Sequence, residues 1–144
     1  MRQHKYYIAT LIVVICVAIV FYALWVRKSR DHSDLEQQCQ YAARLAQDRF
    51  EDFRAKGSDY DYHYGVAQLV SFYDSYLLLT VETQGETNAN CLYLNQLLGV
   101  LMDYPELTSE QVSQLVAITA ILGRDISDAN AFNQIFALYN QLTR

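Results

Sequence analysis

The sequence predicts an all-α protein in which an N-terminal single transmembrane helix is followed by an up-and-down bundle of about five helices. The first observation behind this prediction is that Tyr6 to Val26 contains no charged side chain. As a helix this stretch spans about 30 Å, the thickness of the hydrocarbon core of a bilayer. The second is that the chain has only five glycines and one proline, which favours a few long helices over many short strands. The third is that the apolar residues after the span recur three or four positions apart.

The ends of the apolar stretch resemble the ends of a membrane span. Tyr6 and Trp25 suit the headgroup level, and Arg27 with Lys28 closes the stretch on the far side. A cleaved signal peptide is the alternative, but it would have a shorter apolar region that ends in a small-x-small site. We therefore expect an integral membrane protein with one span. The predicted organisation is a short tail (1–5), the transmembrane helix (6–26), a basic juxtamembrane segment (27–33) and an acidic helical domain (34–144).

The charges are segregated along the chain. Residues 31–144 contain six basic and sixteen acidic residues, a net charge of −10. This negative field repels nucleic acids, so we expect no nucleic-acid partner. Basic residues flank both ends of the span and do not decide its orientation, whereas a short tail before one apolar helix is the usual layout of a signal-anchor. We therefore expect the domain outside the cytoplasm.

The first two bundle helices are expected at about Leu35 to Lys56 and Tyr60 to Thr83. Asp31, Ser33 or Asp34 is the expected cap of the first, unless that helix continues the anchor as a stalk. Ser58 or Asp59 is the expected cap of the second.

The remaining three helices are delimited by their end signals. Thr87 or Asn88 is expected to cap the third, which ends by Asp103 before Pro105. Thr108 and Gln111 predict a capping box for the fourth, and Gly123 is expected in a left-handed conformation at its end. β-Branched residues make a strand the alternative for this segment. The last helix is expected to reach Leu142.

The fourth helix has an unusually wide apolar face, which includes Val112, Leu115, Ile118 and Ile121. A face this wide belongs either to a helix at the centre of the bundle or to an interface with a partner or a second copy of the chain. Both interpretations remain open at the level of sequence.

The densest aromatic cluster lies near the start of the second helix. Tyr60, Tyr62, His63 and Tyr64 are candidates for a surface that binds a ligand or a partner. Asp59, Asp61 and His63 have metal-ligand chemistry, but alternate positions on a helix diverge by about 200°, so they do not converge on one ion. The simpler interpretation is that the acids stabilise the helix start and the tyrosines pack.

Cys39 and Cys91 lie near the starts of two helices that are expected to be parallel. A disulfide between them requires adjacent helices and an oxidising compartment. The alternative, which we favour, is two small buried hydrophobic residues.

The sequence contains no phosphate loop, no catalytic motif and no metal-ligand pair at helical spacing. We therefore expect no cofactor and no enzymatic activity. The predicted function is a membrane-tethered helical interaction module that binds an unidentified protein or a second copy of itself. The alternatives are an extracytoplasmic ligand-binding or sensor bundle, and an enzyme whose site is assembled from several helices.

Overall fold

The structure is a computed structural model that describes residues 2–85, 88–103 and 105–144, without the side chains of residues 2–13 and 84. These residues form helices and no strands, which confirms the all-helical prediction, including the helical assignment of the fourth segment. Chain contacts divide the protein into two units, Met1–Asp34 and Leu35–Arg144. The helices are α1 (Arg2–Lys56), α2 (Asp59–Gln84), α3 (Ala89–Met102), α4 (Ser109–Leu122) and α5 (Ala129–Leu142).

The N-terminal unit contains the apolar stretch. Residues 27–33 are helical within α1, so the predicted caps Asp31, Ser33 and Asp34 do not begin a new helix, and the continuous alternative is observed. Within the described residues, no helix has both the length and the apolar character needed to cross a membrane. The first part of the predicted span, residues 6–13, lies outside the described side chains. The described residues therefore do not support the predicted N-terminal span.

Polar caps begin the helices of the second unit as the sequence predicts. The Ser58 side chain accepts a hydrogen bond at the start of α2, and Asn88 does the same for α3. Thr108 and Gln111 form the predicted capping box at the start of α4. Each cap satisfies a backbone N–H that has no partner within its own helix.

One predicted helix end is wrong. Gly123 has φ −68° and ψ −12°, a right-handed conformation, and not the left-handed one. Glycine is needed at position 123 because it has no side chain: a Cβ atom here would come 2.8 Å from Cγ of Arg44. The missing side chain lets α1 approach the end of α4.

Every helix supplies fully buried side chains to one core. Examples are Phe50, Leu69, Leu94, Leu115 and Ile135, one from each helix in chain order, and each is at most 1% exposed. Burial of such a side chain contributes roughly 1.5–3 kcal/mol relative to its exposure. The core is therefore shared by all helices of the second unit, and no helix is peripheral to it.

Side-chain contacts give the directions of the first three helices in the bundle. Phe50 and Cys39 of α1 contact Tyr62 and Phe72 of α2, so the end of α1 lies beside the start of α2. In the same way, Tyr62 contacts Leu101 at the end of α3. Consecutive helices therefore run antiparallel here, and the contacts also pair α3 with α5 and α4 with α5.

Candidate functional site

The aromatic cluster at the start of α2 is divided between the core and the surface. Tyr62 is completely buried, and its hydroxyl donates a 2.8 Å hydrogen bond to the carbonyl of Leu101. Tyr60 is 67% exposed, and its ring lies 6.0 Å from that of Tyr64. His63 is exposed and its ring lies 5.6 Å from that of Tyr62. The structure thus brings only Tyr60, His63 and Tyr64 to the surface, because α2 turns Tyr62 inward.

Arg49 of α1 interacts with the same region. Its guanidinium lies 5.0 Å from the centre of the Tyr64 ring and 3.2 Å from the buried carboxylate of Asp61. Next to it, Asp52 accepts a 2.7 Å hydrogen bond from Lys56. This bond lowers the pKa of Asp52 and raises that of Lys56. A cation of the protein itself therefore already contacts the aromatic ring of Tyr64.

The described residues contain no group of three His, Cys, Asp or Glu side chains that meet as metal ligands. Asp61, one of the three metal-ligand candidates, has Arg49 as its ion-pair partner and follows Ser58, whose hydroxyl accepts a bond from the backbone N–H of Asp61. The contacts of Asp61 are those of a structural residue at a helix start.

The apolar face of α4 lies inside the bundle. Val112, Leu115 and Ile118 are at most 4% exposed, and Ile121 is half-buried against the core. Thr119 on the same helix is also buried and donates its hydroxyl hydrogen bond back to the α4 backbone. These side chains therefore have the placement of a central helix and do not form an exposed surface.

Cys39 and Cys91 are buried free thiols with different neighbours. The sulfur of Cys39 is 4.0 Å from the carbonyl oxygen of Phe72, and that of Cys91 is 3.4 Å from the Thr80 hydroxyl. Phe72 and Thr80 are separated by about 12 Å along α2, whereas the Cα atoms of a disulfide are less than about 7 Å apart. The disulfide considered from the sequence is therefore not formed. Burial raises the pKa of the Cys39 thiol to about 12.

Of the predicted membrane-anchor ends, Tyr6 lies outside the described side chains. Trp25 is 68% exposed and its ring is 6.3 Å from that of Tyr22. Arg27 and Lys28 are also exposed on α1. The large apolar side chains of α1 from Val14 to Leu24 are 49–71% exposed, because they belong to no hydrophobic core.

A surface that the sequence reasoning missed lies on α3 and α5. Neither helix contains a charged residue. Leu92 and Met102 of α3 are 52% and 56% exposed, and Phe136 of α5 is 44% exposed. The rings of Tyr93 and Phe136 lie 4.8 Å apart and join the two helices. We call Leu92, Tyr93 and Phe136 the α3–α5 face; Met102 follows Tyr93 by nine positions, which places it on the opposite flank of α3. The missed signal was the absence of charge on both helices.

A groove lies between α1 and the end of α4. It has a volume of about 450 Å³ and is lined by Arg44, Gln47, Asp48, Ala120, Gly123 and Arg124. No pattern in the sequence indicates this groove, because Arg44 and Arg124 are far apart in the chain. Within the described bundle this groove combines two arginines that have no carboxylate partner.

Comparisons with known proteins find no match: no protein family, no curated protein and no solved structure is significantly similar to this chain.

Proposed function

We propose that this protein is a non-enzymatic interaction module, a helical bundle that binds a protein partner through the α3–α5 face and is tethered to a membrane by Tyr6 to Val26. The observation that carries the proposal is the exposure of Leu92 and Phe136 beside Tyr93, on two helices that have no charged residue. Exposed apolar side chains are costly in water unless a partner covers them.

The composition of this face matches that of the buried centre of a protein interface. Such centres are depleted in charge and enriched in aromatic residues. Tyr93 and Phe136 supply rings that are already in contact, so little side-chain entropy is lost when a partner binds. The α3–α5 face therefore suits an uncharged, apolar partner surface.

The rest of the bundle has a different surface. The bundle portion of α1 contains Arg49, Asp52 and Lys56 in mixed ion pairs, and α2, which also exposes Leu78 and Val81, begins with Asp59. Charged side chains of both signs are typical of a solvated surface. The contrast with the uncharged helices α3 and α5 favours a single binding face over nonspecific hydrophobic association.

The membrane tether is supported by the sequence. Tyr6 to Val26 contains no charged residue, and side chains such as Phe21 and Trp25 in its second part are exposed. Lipid would cover these side chains at no cost in hydrogen bonds, because a helix satisfies its own backbone. Placement of the bundle outside the cytoplasm belongs to the same proposal. Protease treatment of intact cells should remove a C-terminal tag, and protection of the tag until lysis would place the bundle in the cytoplasm instead.

Site-specific photo-crosslinking tests the interaction face. A benzophenone amino acid is placed at Leu92 or at Phe136 in the full-length protein in its native membrane, and the adducts are identified by mass spectrometry. The matched control is Leu78 of α2, which is 57% exposed and lies outside the α3–α5 face. We expect one discrete adduct from both face positions and none from Leu78.

The mass of the adduct identifies the partner. An adduct of twice the chain mass means a second copy of the protein, and any other single mass means a different protein. Equal crosslinking from the control position, or none from either face position, would contradict the proposed face.

A ligand-binding or sensor bundle centred on Tyr60 and Tyr64 is the second proposal from the sequence. The position of Arg49 beside Tyr64 makes this cluster a poorer receptor for a cation, because the ring already contacts one. An enzyme is the third, and the described residues offer it no cluster of metal-ligand side chains.

A further inference from the structure

Two arginines that are far apart in the sequence line the same groove. Arg44 belongs to α1, and Arg124 follows the end of α4. The groove measures about 450 Å³, and such volumes are typical of sites for small molecules, which occupy roughly 300–1,000 Å³.

Hydrogen bonds to the end of α4 hold both side chains in place. The Nε–H group of Arg44 donates to the carbonyl of Gly123 at 2.9 Å, and that of Arg124 donates to the carbonyl of Ala120 at 3.2 Å. The last carbonyls of a helix lack partners within the helix, which explains both bonds. A guanidinium has five N–H donors, so each arginine keeps its terminal amino groups for another acceptor.

The described residues provide no acidic partner for these two arginines. The ion pairs among them use Arg49 and Lys56 as the cations. Asp48 also lines the groove, but no ion pair joins it to either arginine in the described bundle. Two oriented guanidinium groups thus share a groove without a carboxylate bound to them.

We propose that this groove binds a small ligand with a phosphate monoester group. A guanidinium binds phosphate oxygens through two parallel hydrogen bonds, and two guanidiniums match the double negative charge of a monoester. The inference does not depend on the α3–α5 face, because the groove lies between α1 and α4.

Asp48 lowers the affinity of this groove for anions. Its carboxylate repels a second anion and weakens the binding of any negatively charged ligand. The remainder of the domain is also acidic, so a single negative charge gains little from the groove. A ligand with two charges on one group gains the most, because its attraction to two arginines exceeds its repulsion by the one carboxylate by more than that of a singly charged ligand.

Nuclear magnetic resonance of the full chain in a neutral detergent tests the proposal through the Nε–H signals of Arg44 and Arg124. The probes are inorganic phosphate, glycerol 3-phosphate and a short-chain phosphatidic acid, each against sodium chloride and sodium acetate at equal ionic strength. We expect saturable shifts of both signals with the phosphate probes only. Tighter binding of phosphatidic acid than of glycerol 3-phosphate identifies a lipid headgroup as the source, and equal binding identifies a soluble monoester.

Matched variants distinguish a specific phosphate site from a nonspecific effect of the protein's net charge. Arg124→Gln should weaken phosphate binding about tenfold, whereas Arg54→Gln, the same charge change outside the groove, should alter it less than about twofold. Asp48→Asn should tighten binding about threefold, and it removes no hydrogen bond that the described residues form. This variant keeps the test informative if an arginine variant fails to fold.

The inference is overturned if chloride and phosphate give the same shifts, or if no shift saturates at millimolar phosphate. It is also overturned if Arg54→Gln weakens binding as much as Arg124→Gln, because the effect would then be that of net charge alone.

Discussion

Removal of the Tyr62 hydroxyl group by Tyr62→Phe tests how α2 and α3 are joined. The hydroxyl is buried and donates to the carbonyl of Leu101, in the last turn of α3. In a continuing helix this carbonyl would accept from the residue four positions on, which here is Pro105. Proline has no N–H group, so the chain itself offers no helical donor at that position. The hydroxyl of Tyr62 supplies the donor that Pro105 lacks.

The expected cost follows from these contacts. The substitution keeps the ring and its contacts with Phe50 and Phe53, so no cavity larger than one oxygen atom forms. It removes one hydrogen bond and leaves a buried carbonyl without that donor, which lowers the free energy of unfolding by about 1–3 kcal/mol. With a urea m-value of roughly 2 kcal/mol/M, the midpoint of unfolding should fall by about 0.5–1.5 M.

Urea unfolding of the full chain in neutral detergent, followed by circular dichroism at 222 nm, measures this change. Tyr60→Phe is the matched control, because it makes the same chemical change at an exposed position and should cost less than about 0.5 kcal/mol. If Tyr62→Phe is as stable as Tyr60→Phe, the hydrogen bond between α2 and α3 does not stabilise the bundle and the reasoning is refuted.

Four further predictions concern the stability of the bundle. Gly65→Ala should cost about 1–3 kcal/mol in a urea titration, because its Cβ would lie 2.8 Å from Cε1 of Phe50. Gly99→Ala should instead stabilise the bundle by about 0.5–1 kcal/mol, since this helical position has no neighbour within 4 Å of a new Cβ. Leu115→Asp should unfold the domain, because the carboxylate would be buried without a partner. The raised pKa of Cys39 predicts that the contribution of this thiol to stability is constant below about pH 9 and is lost as the pH rises toward about 12, since the unfolded thiol ionises first.

Three of these predictions, those for Gly65, Leu115 and Cys39, have their own controls. Phe50→Leu should relieve part of the cost of Gly65→Ala, and an additive double variant would show that the two residues do not clash. The control for Leu115→Asp is Ala117→Asp, which places the same side chain at an exposed position of α4 and should stay folded. If the Leu115→Asp variant is also folded and monomeric, α4 is not the central helix. Cys39→Ala should flatten the alkaline loss of stability measured by urea titrations across pH, and an unchanged slope would exclude the Cys39 thiol as its cause.

Local signals in the sequence determined where the helices of the bundle begin. Ser58, Asn88 and the pair Thr108 and Gln111 were expected caps and are observed caps, because a helix start requires an acceptor within a few residues of the chain. The periodicity of apolar residues likewise indicated the inner face of α4, although it left open whether that face met the core or a partner.

Only the tertiary structure decided which residues form sites. Tyr62 belongs to the core and Tyr60 to the surface, because α1 and α3 pack on one side of α2 and leave the other to solvent. Cys39 and Cys91 contact α2 at different heights, which the expected parallel direction of their helices did not reveal.

What the sequence by itself determined is the helical class, the helix starts and the segregation of charge, all of which depend on neighbours along the chain. What the tertiary structure decided is the right-handed conformation of Gly123, the meeting of Arg44 with Arg124 in one groove, and the exposure of Leu92 beside Phe136 and Tyr93. These features depend on which helix lies beside which. That choice follows from the packing of complete side chains in three dimensions, and periodicity along a single helix does not contain it.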